Sequence, residues 1–175
     1  MRRLLAVILA GLAASGFVAA QGESKVEVKG PHICCKQCVR IVGQILEKVP
    51  GVSEASCSIP EKSVTFSAKD AQAAAAGVKA LLDGGFFGTA TRGGKAVKVS
   101  VPMVEKGNAD AVSVKDVHVC CGQCQTAINK LFKDAKVTYS GPGPQKTVRV
   151  ERAGLERNAV VEALQKAGFN GTLEK

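Results

Sequence analysis

Six of the seven cysteines and both histidines of this chain fall in two matching heptads. His32-Ile33-Cys34-Cys35-Lys36-Gln37-Cys38 returns as His118-Val119-Cys120-Cys121-Gly122-Gln123-Cys124. Thiolates and imidazoles are soft and borderline ligands that take Cu(I), Zn(II) and heavier thiophilic ions. The chemistry on offer is therefore metal binding or thiol exchange, at two like places. A CxxC pair at a helix start turns two sulfurs to one side of a tight loop. Free N–H groups and the positive end of the helix dipole favour thiolate there, the form that ligates metal and attacks disulfides. Two such thiolates hold a linear Cu(I) or Hg(II) exposed enough to hand on. A third sulfur makes the site trigonal, tighter and slower to release.

The elements that must position these loops also occur twice. In the first half, residues 25–28 alternate as a strand that runs into the cysteine loop. Val39, Val42, Ile45, Leu46 and Val49 then recur at helical spacing until Pro50-Gly51. Ala55, Cys57 and Ile59 alternate with Ser56 and Ser58, Pro60-Glu61-Lys62 turns, and 64–66 returns as the paired strand. Asp70 caps a second helix through Leu82, Gly84-Gly85 stops it, and a last strand is expected over 95–101. The second half repeats the order: a strand over 112–119, a helix with Ile128, Leu131 and Phe132, a hairpin over 137–150, a helix over 155–167 and a closing strand over 171–173. Gly85-Phe86-Phe87-Gly88-Thr89 matches Gly168-Phe169-Asn170-Gly171-Thr172. Strand-helix-strand-strand-helix-strand is the ferredoxin-like split βαβ order, so the expected class is α+β with two tandem domains, 24–101 and 112–175. Residues 102–111, with Pro102 and Lys106-Gly107-Asn108, read as a linker long enough for independent movement.

The N-terminus reads as an export signal. Arg2 and Arg3 precede an apolar run over 4–18, and Val18-Ala19-Ala20 supplies the small residues of a cleavage site, with cleavage expected after Ala20. The run is short of the about 20 residues a spanning helix needs and is broken by Gly11, Ser15 and Gly16. The chain is thus expected to be periplasmic or secreted, with no stable membrane insertion after cleavage. The net charge is +9. A basic balance without Trp, with one Tyr and no Lys/Arg run gives nucleic-acid binding no support beyond charge. In an oxidising compartment cysteines usually pair, but a disulfide framework spreads its cysteines along the chain, whereas these cluster.

Each half resembles a heavy-metal-associated domain, the module of copper chaperones, metal-transporting ATPases and mercury scavengers. The family's Met-x-Cys-x-x-Cys loop maps onto Ile33 to Cys38 and Val119 to Cys124, so the resemblance places Cys35, Cys38, Cys121 and Cys124 as metal ligands. The family's Gly-aromatic pair, in a loop packed near the site, corresponds to Gly85-Phe86 and Gly168-Phe169. Two departures stand out. Ile33 and Val119 replace the Met, and an extra thiol, Cys34 or Cys120, precedes each CxxC. Three thiolates, with or without His32 or His118, would shift preference toward Zn(II), Cd(II) or Hg(II), or toward multinuclear Cu(I).

Simpler roles fit several of these residues. A histidine is more often a hydrogen-bonded loop residue than a ligand, and duplication copies bystanders. Cys57 reads as a small buried hydrophobe and Phe86 and Phe169 as core aromatics shielding the loops. The CxxC pairs also admit thiol–disulfide exchange, or closure as Cys35–Cys38 and Cys121–Cys124 disulfides in an interaction module. No nucleophile triad, carboxylate pair or phosphate loop is present. The expectation is an exported, non-enzymatic protein that binds soft metal, Cu(I) first and Zn(II), Hg(II) or Cd(II) next. Its candidate ligands are Cys34, Cys35, Cys38, Cys120, Cys121 and Cys124, and its partner a metal-transporting or metal-accepting protein. The two sites would act independently or face one another around a shared ion.

Overall fold

The computed structural model describes residues 24–101 and 106–174; the proposed leader, positions 102–105 of the proposed linker and residue 175 lie outside them. The described chain is α+β, with four helices and two antiparallel sheets. The first half runs β1 (Ser24–Lys29), α1 (Lys36–Glu47), β2 (Val52–Ser58), β3 (Ser63–Ala68), α2 (Ala71–Asp83), β4 (Thr89–Arg92) and β5 (Lys95–Ala96). The second runs β6 (Asn108–His118), α3 (Gly122–Leu131), β7 (Lys136–Ser140), β8 (Gln145–Glu156), α4 (Arg157–Lys166) and β9 (Thr172–Leu173). The sheet orders are β2-β3-β1-β4-β5 and β7-β8-β6-β9. In both, the strand that leads into the cysteine loop lies inside the sheet, so each loop is anchored by strand pairing on two sides.

The alternation of β1 seats Val26 and Val28 in the first core with Val42, Leu46, Val64, Phe66 and Leu81. Val112, Val114, Ile128, Val148, Val150 and Leu164 form the second. Asp70 caps α2 as expected, its carboxylate accepting from the Ala73 amide at 2.7 Å. Asp70→Ala should cost about 1 kcal/mol of stability in urea unfolding, and Asp70→Asn much less, since Asn keeps the acceptor.

Four boundaries depart from the sequence reading. The strand closing the first half is Thr89–Arg92, not 95–101, because Ala90 is the small apolar residue that fits opposite Val28. Residues 95–96 only fold back on it through Gly93-Gly94, both at positive φ, the two-residue hairpin turn whose twist suits antiparallel strands. β6 starts at Asn108 rather than 112, so residues 108–111 of the proposed linker are strand, paired to the end of an equally extended β8. Leu155 belongs to β8, and α4 starts only at Arg157. In β2 a register shift with Glu54 at φ 52° turns Ala55 outward, leaving Cys57 partly buried against the core. α3 ends at Leu131, which is partly exposed, and Phe132 caps it.

Candidate metal centre

The cysteine loops gain their shape from the same device twice. Cys35 and Cys121 are the N-cap residues of α1 and α3, in extended backbone, and Cys38 and Cys124 lie in the first turn, fully buried. Ile33 and Val119, which stand where the family has Met, are buried in the two cores. Neither helix has an acidic residue in its first turn, so the positive helix ends face the sulfurs uncompensated.

The two loops meet. A seam of backbone hydrogen bonds joins the halves through the Gly-Phe loops. Phe87 donates to Gly168 at 3.0 Å and Asn170 to Gly85 at 2.9 Å, which pairs Phe86 with Phe169 as an antiparallel bridge. The His32 amide donates to Gly168 at 2.9 Å, and the Asn170 side chain to the Leu82 carbonyl at 2.9 Å. Each phenylalanine then stacks on the histidine of the opposite half, Phe169 on His32 at 4.2 Å and Phe86 on His118 at 4.3 Å. The Gly-aromatic pair therefore serves the other half's cysteine loop. The signal was in the sequence, since Gly-Phe and His-x-Cys recur together, but only the three-dimensional arrangement shows that they pair crosswise.

All six loop sulfurs are brought together, and they do so symmetrically. Cys34 lies 3.7 Å from Cys121 and 3.6 Å from Cys124, while Cys120 lies 3.7 Å from Cys35 and 3.5 Å from Cys38. Within the loops Cys35–Cys38 is 3.7 Å and Cys121–Cys124 is 3.9 Å. Two triangles result, each a CxxC pair completed by the extra cysteine of the opposite half. Cys34 and Cys120 accordingly pack against both cores. For metal–sulfur bonds near 2.3 Å, elementary geometry puts sulfur–sulfur edges at about 3.8 Å in a tetrahedral site and about 4.0 Å in a trigonal one. The triangles are close to that size, so the residues fit a thiolate-bound ion. All seven cysteines are free thiols, the seventh being Cys57, which belongs to neither triangle.

Electrostatics make the cluster ready to ionise unevenly. A hydrogen bond from Cys124 draws the Cys38 thiol well below the ordinary thiol range, against burial and with help from His118 and the Cys34 and Cys35 backbone. Cys124, holding that proton, is pushed up by the same bond and by burial. Burial also raises Cys34 and Cys120. At Cys121 burial is outweighed by the backbone amides of Cys124 and Gln123, leaving it near 7, as expected of a thiol at a helix start. Burial raises Cys57 to about 11, an unreactive thiol.

The histidines stand beside the sulfurs. His32 lies within 4.8 Å of Cys34 and Cys124 at a ligating nitrogen, and burial lowers its pKa, favouring the neutral ring a metal requires. His118 is 1% exposed and lies beside the Cys38 sulfur. No family model matches the chain, and no curated protein matches it.

Proposed function

We propose that this is an exported, non-enzymatic soft-metal-binding protein, and that its two halves are heavy-metal-associated-like, ferredoxin-like domains. The strand order of each sheet supports the fold reading, and the double heptad the family reading. One observation carries the function: six thiols from distant loops converge, with spacings that suit thiolate–metal bonds. Burying so many thiols together gives little apolar packing that Val or Ala would not give better, whereas a thiophilic ion repays it directly. Cu(I) comes first because soft thiolate ligands select it, most of all where several sulfurs can bridge more than one ion; Zn(II), Hg(II) and Cd(II) follow. Cys34, Cys35, Cys38, Cys120, Cys121 and Cys124 are the ligands in this reading. The task is scavenging, buffering or passing metal to a metal-accepting or metal-transporting protein in the periplasm or outside the cell. Among the described residues no helix is long and apolar enough to cross a membrane.

The test is an anaerobic titration of the reduced mature protein with Cu(I) and separately with Zn(II), counting reactive thiols. Retained metal with the six loop thiols shielded and Cys57 unaffected is the expected result. No retained metal, with rapid closure to disulfides in air and catalysed reduction of a disulfide substrate, would replace it with the redox reading. Cys35→Ser should lower Cu(I) affinity at least tenfold, because it removes one corner of a triangle; unchanged affinity and stoichiometry would refute the assignment.

A further inference from the structure

The six sulfurs form a closed cage as well as two triangles. Besides the distances above, Cys34–Cys38 is 3.8 Å and Cys120–Cys124 is 3.9 Å. Cys34 and Cys35, Cys35 and Cys121, Cys120 and Cys121, and Cys38 and Cys124 also lie within 4.8 Å. Every sulfur thus has four of the others as neighbours. Cys34 and Cys120, Cys35 and Cys124, and Cys38 and Cys121 are left as opposite corners, which is the connectivity of an octahedron.

An octahedron has eight triangular faces, and three-coordinate Cu(I) needs nothing more than one face. Ions on four alternate faces make every sulfur bridge two of them, so all six thiolates are used fully and equally. A tetrahedral Zn(II) on each such face would need a fourth ligand, and four faces cannot all draw one from the two histidines of the chain, His32 and His118. We propose that the paired loops hold four Cu(I) ions as one tetranuclear copper–thiolate cluster. This rests on the soft-metal reading and goes beyond one ion per half. Assembly moves no electrons: the cysteines still protonated give their protons to solvent, four Cu(I) ions enter, and six thiolates with four Cu(I) leave the product with two negative charges. The surroundings suit an anion. The positive ends of α1 and α3 both abut the cage without an acidic first-turn residue. The ring of buried His118, beside Cys38, offers an N–H to a bridging sulfur.

The experiment is native mass spectrometry of the reduced full-length mature chain, titrated anaerobically with Cu(I), together with copper X-ray absorption. The expected record passes from the metal-free to the four-copper species with little between, shows a copper–copper shell beside the sulfur shell, and is unchanged in Cys57→Ser. One or two coppers bound stepwise, with sulfur scattering alone, would overturn the cluster while leaving soft-metal binding intact. No retained copper would overturn both.

Discussion

Replacing Phe169 by alanine is expected to cost about 3–5 kcal/mol of stability, the usual price of emptying a large buried aromatic site. Phe169 is fully buried, pairs through its backbone with Phe86 and stacks on His32 of the other half. The loss should therefore reach beyond its own core. His32 would lose the surface that orients it, and the extra cysteine beside it, Cys34, would drift from Cys121 and Cys124. Urea unfolding should show the destabilisation, and alkylation of the metal-free protein should show Cys34 more reactive than in wild type. Phe169→Leu, which keeps most of the apolar volume, should recover much of both. A change below about 1 kcal/mol with unaltered thiol reactivity would mean that the seam does not hold the loops together.

The second large effect is expected at Gly168. Its φ is +86°, and a Cβ there would fall on the Gly30 carbonyl oxygen and the His32 amide, backbone of the opposite half. Gly154 provides the control, for it shares a positive φ of 68° but has open space around the same position. Gly154→Ala should cost about 1–2 kcal/mol from backbone conformation alone. Gly168→Ala adds a clash that only separation of the halves relieves, so a total on the order of 3 kcal/mol or more is expected. Cu(I) affinity should fall with it, while far-ultraviolet circular dichroism of the folded protein stays nearly unchanged. Equal losses in the two variants would contradict the seam.

These two positions mark where the sequence stopped being readable. The heptads pointed to thiol and metal chemistry, and alternation and helical periodicity located most of the elements. Asp70 marked a helix start, since capping is local chemistry written in adjacent residues, while Pro50-Gly51 marked a helix end only loosely, α1 stopping at Glu47 and leaving Val49 outside it. Errors arose where partners lie far away in sequence. Ala90 belongs to the closing strand because it faces Val28, and residues 108–111 are strand because β8 runs on to meet them. The outward turn of Ala55 follows from a bulge that side-chain alternation does not announce. The site was legible by composition only. Which cysteine completes which triangle depends on how two halves dock, and a repeat conceals that, because matching loops read equally well as two separate sites or one shared site. Gly85 and Gly168 carried the hint as paired glycines beside aromatics, yet their partners are backbone atoms of the other half.

The central claim is that each half's extra cysteine completes the metal site of the other half. It is tested by removing Cys35 and Cys38 together, as C35S/C38S, so that Cys34 is the one thiol left in the first loop. Adding one equivalent of Cu(I) anaerobically and mapping alkylation by peptide mass spectrometry reads the fate of that thiol. Protection of Cys34 along with Cys121 and Cys124, mirrored by Cys120 in C121S/C124S, is the result this account requires. Free alkylation of Cys34 while Cys121 and Cys124 are protected would show two separate sites and contradict it.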